Sequence, residues 1–358
     1  MGYFNQQDEL KFYFEQRWEK KDHVTGDNIG IEFPVNSTDL VNKYVRFENE
    51  LNSRWHGNVT MGAALKGDGL LTNHGIEHIK SVMHNAYLLL GNNISKLNGY
   101  EIYILLIAIH FHDLGNIFGR KEHEQNIANI MYSMGSFLPL DSVEKDIVVS
   151  IAQAHGGKFE NGDKDTLRYI SNDDMCNGML LRARLLASIL RFADELSDDF
   201  FRTDMEILNI PKGNEVFHLY SSCLEPIHIQ GETISFRYRI PYKYTQLKVG
   251  KYNKKTYIYD EILERLTKCM NELEYCRKYS CGFLNITTFN IKISITYKDM
   301  PYKIREQISF RLILGGYPNP TYSNLDSYLD NGEQYPSDRR QILKYHTGKE
   351  LKKAMKGI

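Results

Sequence analysis

The dipeptide His112-Asp113 constrains this chain most. It closes an apolar, helix-like run, Tyr103-Ile-Leu-Leu-Ile-Ala-Ile-His-Phe111, and is followed by Leu114-Gly115-Asn116. Around it the chain distributes further imidazoles and a carboxylate. Upstream lies Asn73-His74-Gly75-Ile76-Glu77-His78. Downstream come His123 in Arg120-Lys-Glu-His-Glu124, His155 in Ala152-Gln-Ala-His-Gly-Gly157, and Asp194 in Leu190-Arg-Phe-Ala-Asp-Glu195. Imidazole and carboxylate groups are the usual ligands of catalytic transition metals. They fall one or two per expected helix over about 120 residues, as a metal site inside a helical bundle requires.

The helical reading extends over the first two thirds of the chain. Amphipathic candidates are Asp8–Lys21 and Thr38–Arg54, the second with Ser37 or Thr38 as N-cap. The glycine-rich stretch Gly57–Gly69 reads as a loop. Helices are then expected at His74–Leu90, Glu101–His112, His123–Met134, Ser142–Ala154 and Met179–Leu196, with a polar loop over Lys158–Asn177. After about Asp204 the pattern changes. Val216–Ser221, Ile227–Gln230 and Thr233–Ile240 read as strands, the last two joined by a tight turn at Gly231-Glu232. Tyr257–Tyr279 reads as helix, and Leu284–Tyr297 and Gln307–Leu314 as strands. The expected fold class is mainly α, a helical bundle followed by a smaller α+β module. The expected domains are 1–205, 206–317 and a polar tail over 318–358, with a basic helix over Gln341–Lys356.

With 358 residues the chain is long enough for two domains, and its 42% hydrophobic and 25% charged residues are ordinary for a globular protein. A net charge of −1 gives no global basic field for nucleic acid or membranes. Nucleic-acid binding by the basic tail is therefore the less favoured reading, since such a helix is usually a solvated face. The five cysteines form no Cys-x-x-Cys pair and read as reduced, packed thiols of a cytoplasmic protein. The first residues carry no basic segment leading into an apolar one, so no signal peptide is expected. The apolar run Ile102–Phe111 reads as too short to span a bilayer.

Each candidate has a plain reading and a chemical one. His74 and His78 are four apart and share a helix face. His78 is favoured as a ligand and His74 as a proton-transfer group, against a capping or surface histidine. Adjacent helical residues point about 100° apart, so His112 and Asp113 can grip one ion only if the helix ends there or the carboxylate reaches round; Gly115 allows that ending. Asp113 can then bridge two ions. The plain alternative is a core His112 hydrogen-bonded to Asp113. His123 is a ligand or a surface histidine. His155 is a ligand or caps a helix C-terminus, where the dipole favours imidazolium. Asp194 sits in an apolar stretch, and an unpaired buried charge is very costly, so it needs a metal or Arg191.

The set His78, His112, Asp113 and Asp194 resembles the HD superfamily of metal-dependent phosphohydrolases over roughly residues 70–200. The resemblance implies divalent transition metal, Mn, Fe, Co, Ni or Zn, with Mg also compatible. Variants with further histidines hold two ions, and His123 and His155 occupy those places. The string His74-Gly-Ile-Glu-His78 is similar to the cyclic-nucleotide phosphodiesterase branch, in which the earlier histidine is a general acid. The chain departs from the cyclic-di-nucleotide branch, having Asn116 where that branch has Lys and no Gly-Tyr-Pro after His155. The implied reaction is hydrolysis of a phosphoester or phosphoanhydride of a nucleotide or short oligonucleotide by a metal-activated hydroxide. His74 and Asp113 are the catalytic candidates. Arg120, Lys121, Lys158 and Arg191 are candidate phosphate contacts. A di-iron oxygenase of the same superfamily and a non-catalytic nucleotide-sensing module are the rival readings. No membrane partner is expected, and a homo-oligomer is compatible with the sequence.

Overall fold

The computed structural model describes residues 8–20, 32–35, 37–59, 75–119, 123–135, 138, 140–156, 163–198, 213–252, 254–297, 303–314, 325–329 and 343–356. The chain divides into two compact units. The first comprises Met1–Gly67, His74–Ser197 and Tyr275–Leu284, and the second Asp68–Asn73, Asp198–Glu274 and Asn285–Ile358.

Helices build the first unit: α1 (Glu9–Lys20), α2 (Leu40–Arg54), α3 (Ile76–Leu90), α4 (Gly99–Phe111), α5 (His123–Ser133), α6 (Ser142–Gln153) and α7 (Ala183–Glu195). Every residue of α4 is buried. That explains why its sequence is apolar all round rather than amphipathic. Neighbouring helices cover it: α1, α2, α3, α6 and α7 all pack on α4. By length and composition Gly99–Phe118 could cross a membrane, which corrects the expectation that the run is too short. It is instead 89% buried, as the core helix of a bundle is. All five cysteines are free, four buried and Cys281 exposed.

A capping box starts α4: Asn98 accepts from the Glu101 N–H, and the Glu101 carboxylate accepts from the Asn98 N–H. Glu101 is fully buried and also takes a forked pair from Arg182, Nε to Oε1 at 2.7 Å and Nη2 to Oε2 at 2.6 Å. Removing one partner of such a pair strands a buried charge. Arg182→Met is expected to lower stability by about 3–5 kcal/mol, read as a fall in the denaturant midpoint. A midpoint within about 0.5 kcal/mol of the parent would mean that the Asn98 N–H and water suffice for Glu101.

Two expectations in this unit are corrected. Met179–Leu181 is a strand, and the helix begins only at Ala183. Its partner is Asp174–Cys176, in the segment expected to be loop. The turn between them is Asn177-Gly178, both at positive φ (51° and 79°). Positive φ at both central residues is what a two-residue hairpin turn of this hand demands, and Asn-Gly supplies it most readily. The cap of α2 is Asp39, whose carboxylate accepts from the Asn42 N–H, not Ser37 or Thr38.

The second unit carries a four-stranded sheet of β3 (His228–Gln230), β4 (Thr233–Pro241), β7 (Thr288–Thr296) and β8 (Ile304–Ile313) in that spatial order. Strand β4 runs parallel to β7, and the outer pairs are antiparallel. A parallel pair needs a long crossover, and the helix α10 (Ile258–Tyr279) lies within it. Between β4 and that helix come α9 (Tyr242–Thr245) and the hairpin β5 (Val249–Lys251) and β6 (Lys254–Thr256). Alternating burial along β4 and β7 puts Ile234, Phe236, Tyr238, Ile240 and Phe289, Ile291, Ile293, Ile295 in the core.

Val216–Ser221, expected as a strand, lies in helix α8 (Glu215–Cys223). Every residue from Val216 to Ser221 is buried, and Cys223 with them, so packing on all sides of the helix overrides their strand propensity. The basic C-terminal helix forms over α11 (Gly348–Lys356), with Leu351 and Met355 buried.

Candidate metal centre

The centre is assembled in the first unit from loop and helix ends. His78 sits in the first turn of α3, which begins at Ile76 with Gly75 at the cap position. Helix α4 ends at Phe111; His112, its C-cap, keeps helical dihedrals and donates its N–H to Ala108 O, and Asp113 opens to φ −103°, ψ 0°, so both side chains still reach the centre from the frayed end of the helix. A 3-10 turn, Leu114–Phe118, follows. His123 is the first residue of α5, His155 follows the end of α6, and Asp194 lies in the last turn of α7.

Two groups of side chains result. His78, His112, Asp113 and Asp194 have ligand-type atoms within 4.8 Å of one another, as do Asp113, His123 and His155. Asp113 belongs to both. Its Oδ2 is 3.3 Å from His78 Nε2 and 3.5 Å from His112 Nε2, while its Oδ1 is 3.4 Å from His123 Nε2 and 3.7 Å from His155 Nε2. Asp194 Oδ1 closes the first group at 3.1 Å from His78 Nε2 and 3.6 Å from His112 Nε2. Asn116 fixes the bridging carboxylate by donating Nδ2–H to Asp113 Oδ1 at 2.8 Å.

The imidazole orientations fit a cation. His112 Nδ1–H donates to Ile109 O and His155 Nδ1–H to Ala152 O, each at 2.6 Å. A carbonyl can only accept, so in both rings Nδ1 carries the proton toward the backbone and Nε2 is the nitrogen that faces the centre. His123 turns Nδ1 toward Glu124 Oε2 at 3.5 Å, and its Nε2 lies 3.2 Å from that of His155. Two carboxylates converging on these ring nitrogens in a buried centre need a positive charge among them, a proton or a metal ion. The electrostatics agree. Burial works against charge on His112, but Asp113 and Asp194 outweigh it and push its pKa up to about 9. Burial would raise the Asp194 carboxyl, yet hydrogen bonds from His112 and His78 hold it well below the usual range. His155 is pushed down to about 4 by burial and by the neighbouring His112 and His123 charges.

Gly115 has a different use from the helix-ending one. A Cβ there would sit 1.8 Å from His123 O. The bare glycine lets the start of α5 lie directly on the turn after Asp113. Gly115→Ala is expected to push His123 away, lower metal content and cost about 1–3 kcal/mol, the usual range for overpacking. Elemental analysis with a melting curve checks this; unchanged metal content would show that the turn yields instead of the helix.

Arg191, a candidate phosphate contact, is 3% exposed. Its Nη1 donates to Thr166 Oγ1 at 2.8 Å, Lys164 O at 3.0 Å and Ala154 O at 3.4 Å. It therefore ties the chain beside His155 to the helix that carries Asp194. His74, Arg120, Lys121 and Lys158 lie outside the described residues.

Sequence reasoning passed over a buried polar chain in this unit. His56 Nε2 is 3.1 Å from His110 Nδ1, and Tyr44 Oη is 2.9 Å from His110 Nε2. Burial, with the His112 charge second, pushes His56 down to about 4, and burial holds His110 well below its ordinary value. Neutral imidazoles thus stand beside the charged cluster. His110 is the penultimate residue of the apolar run, but nothing about Trp55-His56-Gly57 marks its partner in sequence.

The fold and the cluster together define an HD-type domain with a site able to hold metal. The chain matches the HD-CE family over residues 68–268, more than half of its length, and belongs to that family. No curated protein matches it. No solved structure does either.

Proposed function

We propose that the chain is a metal-dependent phosphohydrolase that cleaves a phosphoester or phosphoanhydride bond of a nucleotide or short oligonucleotide. The observation that carries this is the division of Asp113, one oxygen toward His78 and His112 and the other toward His123 and His155. That is the arrangement for two neighbouring cations sharing one carboxylate. In this reading His78, His112, Asp113 and Asp194 hold one divalent transition metal, and Asp113, His123 and His155 hold a second. Such ions supply Lewis acidity, which acidifies water and draws charge from phosphoryl oxygens. His74 gives the leaving oxygen its proton, and Arg120, Lys121 and Lys158 balance phosphate charge. Arg191 acts by holding the His155 segment in place. Free cysteines are in keeping with work in the cytoplasm.

A product screen over NTPs, dNTPs, NMPs and cyclic or linear oligonucleotides, with Mn²⁺, Co²⁺, Ni²⁺, Fe²⁺ or Mg²⁺, tests the proposal. Phosphate or nucleotide release with at least one metal is expected, abolished by chelator. Metal-loaded protein that releases nothing from any of them, or that consumes oxygen instead, would overturn it.

A further inference from the structure

We infer that the second unit carries a separate binding site for a nucleoside triphosphate, in the cleft between the start of α8 and the β5–β6 hairpin. No residue of this cleft belongs to the metal centre. The cleft has a volume of about 560 Å³ and is lined by Gly213, Glu215 and Leu219 on one side and by residues from Tyr244 to Lys255 on the other. That volume falls in the range of small-molecule sites and is too confined for an extended strand of nucleic acid.

Its chemistry is that of an anion with an aromatic part. From Pro241 to Tyr259 the sequence has five lysines, five tyrosines and no acidic residue, in a chain whose net charge is −1. Lys248, Lys254 and Lys255 line the cleft. Among the described residues none of the three has a carboxylate within ion-pair distance, whereas Lys251 on the same hairpin is taken by Glu261 at 2.7 Å and Glu264 at 2.8 Å. The lining carboxylate, Glu215, accepts from Gly213 N–H at 3.2 Å. Three ammonium groups against one carboxylate leave the cleft positive, and lysine is a standard point-charge binder of phosphate.

The aromatic wall is built rather than incidental. Tyr252 is 61% exposed, yet it is held. Its ring meets Phe217 edge-on at 5.4 Å and 63°, and its N–H donates to Asn214 Oδ1 at 3.1 Å. Its φ of 51° is the positive value that the first loop position of a two-residue hairpin turn takes. Gly250 permits the close approach that forms the floor, since a Cβ there would meet Glu215 Oε2 at 2.2 Å and Gly213 Cα at 2.9 Å. Lys248 Nζ lies 5.2 Å from the Tyr257 ring centroid, and a fixed, exposed ring beside lysines with no carboxylate partner among the described residues matches a base that stacks and a phosphate chain that is neutralised.

Titration calorimetry of the full chain in chelator, with ATP, CTP, adenosine and inorganic tripolyphosphate, tests this site. One equivalent of ATP or CTP is expected to bind, with adenosine and tripolyphosphate each at least about tenfold weaker. Lys248→Ala/Lys254→Ala/Lys255→Ala should abolish binding, and Tyr252→Ala should weaken it about tenfold, within the range of base stacking. Tyr252→Phe and Asp194→Ala should leave it unchanged. Should the triple variant not fold, Lys254→Glu at an exposed position serves in its place. No nucleotide binding by the parent, or binding indifferent to the lysines, would overturn the inference. So would binding lost in Asp194→Ala alone, which would place the nucleotide at the metal centre. A 20-nucleotide RNA held by the same lysines far more tightly than ATP would also overturn it, making the face a nucleic-acid surface. The nucleotide site stands or falls on these binding data whatever the phosphate-release screen returns.

Discussion

Asp113→Ala is expected to eliminate phosphohydrolysis, lowering turnover by at least about four orders of magnitude, or roughly 5 kcal/mol of barrier. The reason is position. Every other side chain of the cluster belongs to one group, whereas Asp113 presents Oδ2 to one and Oδ1 to the other. Its loss therefore degrades both groups at once, and elemental analysis should show both fall. His123→Ala should lower only one. The fold should survive, because Asp113 lies in a turn after α4 and is not part of the apolar packing of that helix. In the variant the Asn116 amide loses its acceptor, so a modest fall in melting temperature accompanies the loss, about that of one unsatisfied buried donor, 1–3 kcal/mol. Near-parental turnover on any nucleotide would show that the chemistry happens elsewhere.

The helical part was legible because its signals are local. Asn98 with Glu101 and Asp141 with Glu144 are capping boxes three residues apart, and the apolar spacing of α7 marks its buried face. The six proposed ligands were legible as residue types at helix ends. What the sequence could not supply was the geometry by which five separate segments bring one Asp113 oxygen to each group. The close approach of His123 to Gly115 is equally invisible in sequence, being a contact between backbones and not a pattern of side chains. Other misses were avoidable in principle. Asn177-Gly178 is a strong hairpin signal, and it was overlooked because the flanking strands are three residues each. In α8, Val216, Phe217 and Tyr220 favour strands by propensity, yet the helical spacing to Cys223 was there to be weighed against it. The basic tail shows the limit of composition. Leu351 and Met355 anchor α11 by burial, so the helix packs through an apolar face that its four lysines conceal.

His74→Ala is expected to keep the full metal content and to lose about two to four orders of magnitude in turnover, the range of general acid catalysis. The proposal rests on sequence position: His74 precedes Gly75, the cap of α3, and stands four residues before His78, whose Nε2 lies 3.1 Å from Asp194 Oδ1. Imidazole titrates close enough to neutrality to give up a proton at working pH. The test lies in the leaving group. An alkoxide leaving from a nucleotide needs a proton as the bond breaks, whereas a nitrophenolate needs almost none. The loss in His74→Ala should therefore shrink toward the parental rate on a nitrophenyl phosphodiester and stay large on the natural class of substrate. A purely structural role would depress both substrates alike. If His74→Ala strips a metal instead, His74 is a ligand and the first group has five members. If metal and both rates are unchanged, His74 is a surface histidine, and the proton must come from another group or from water.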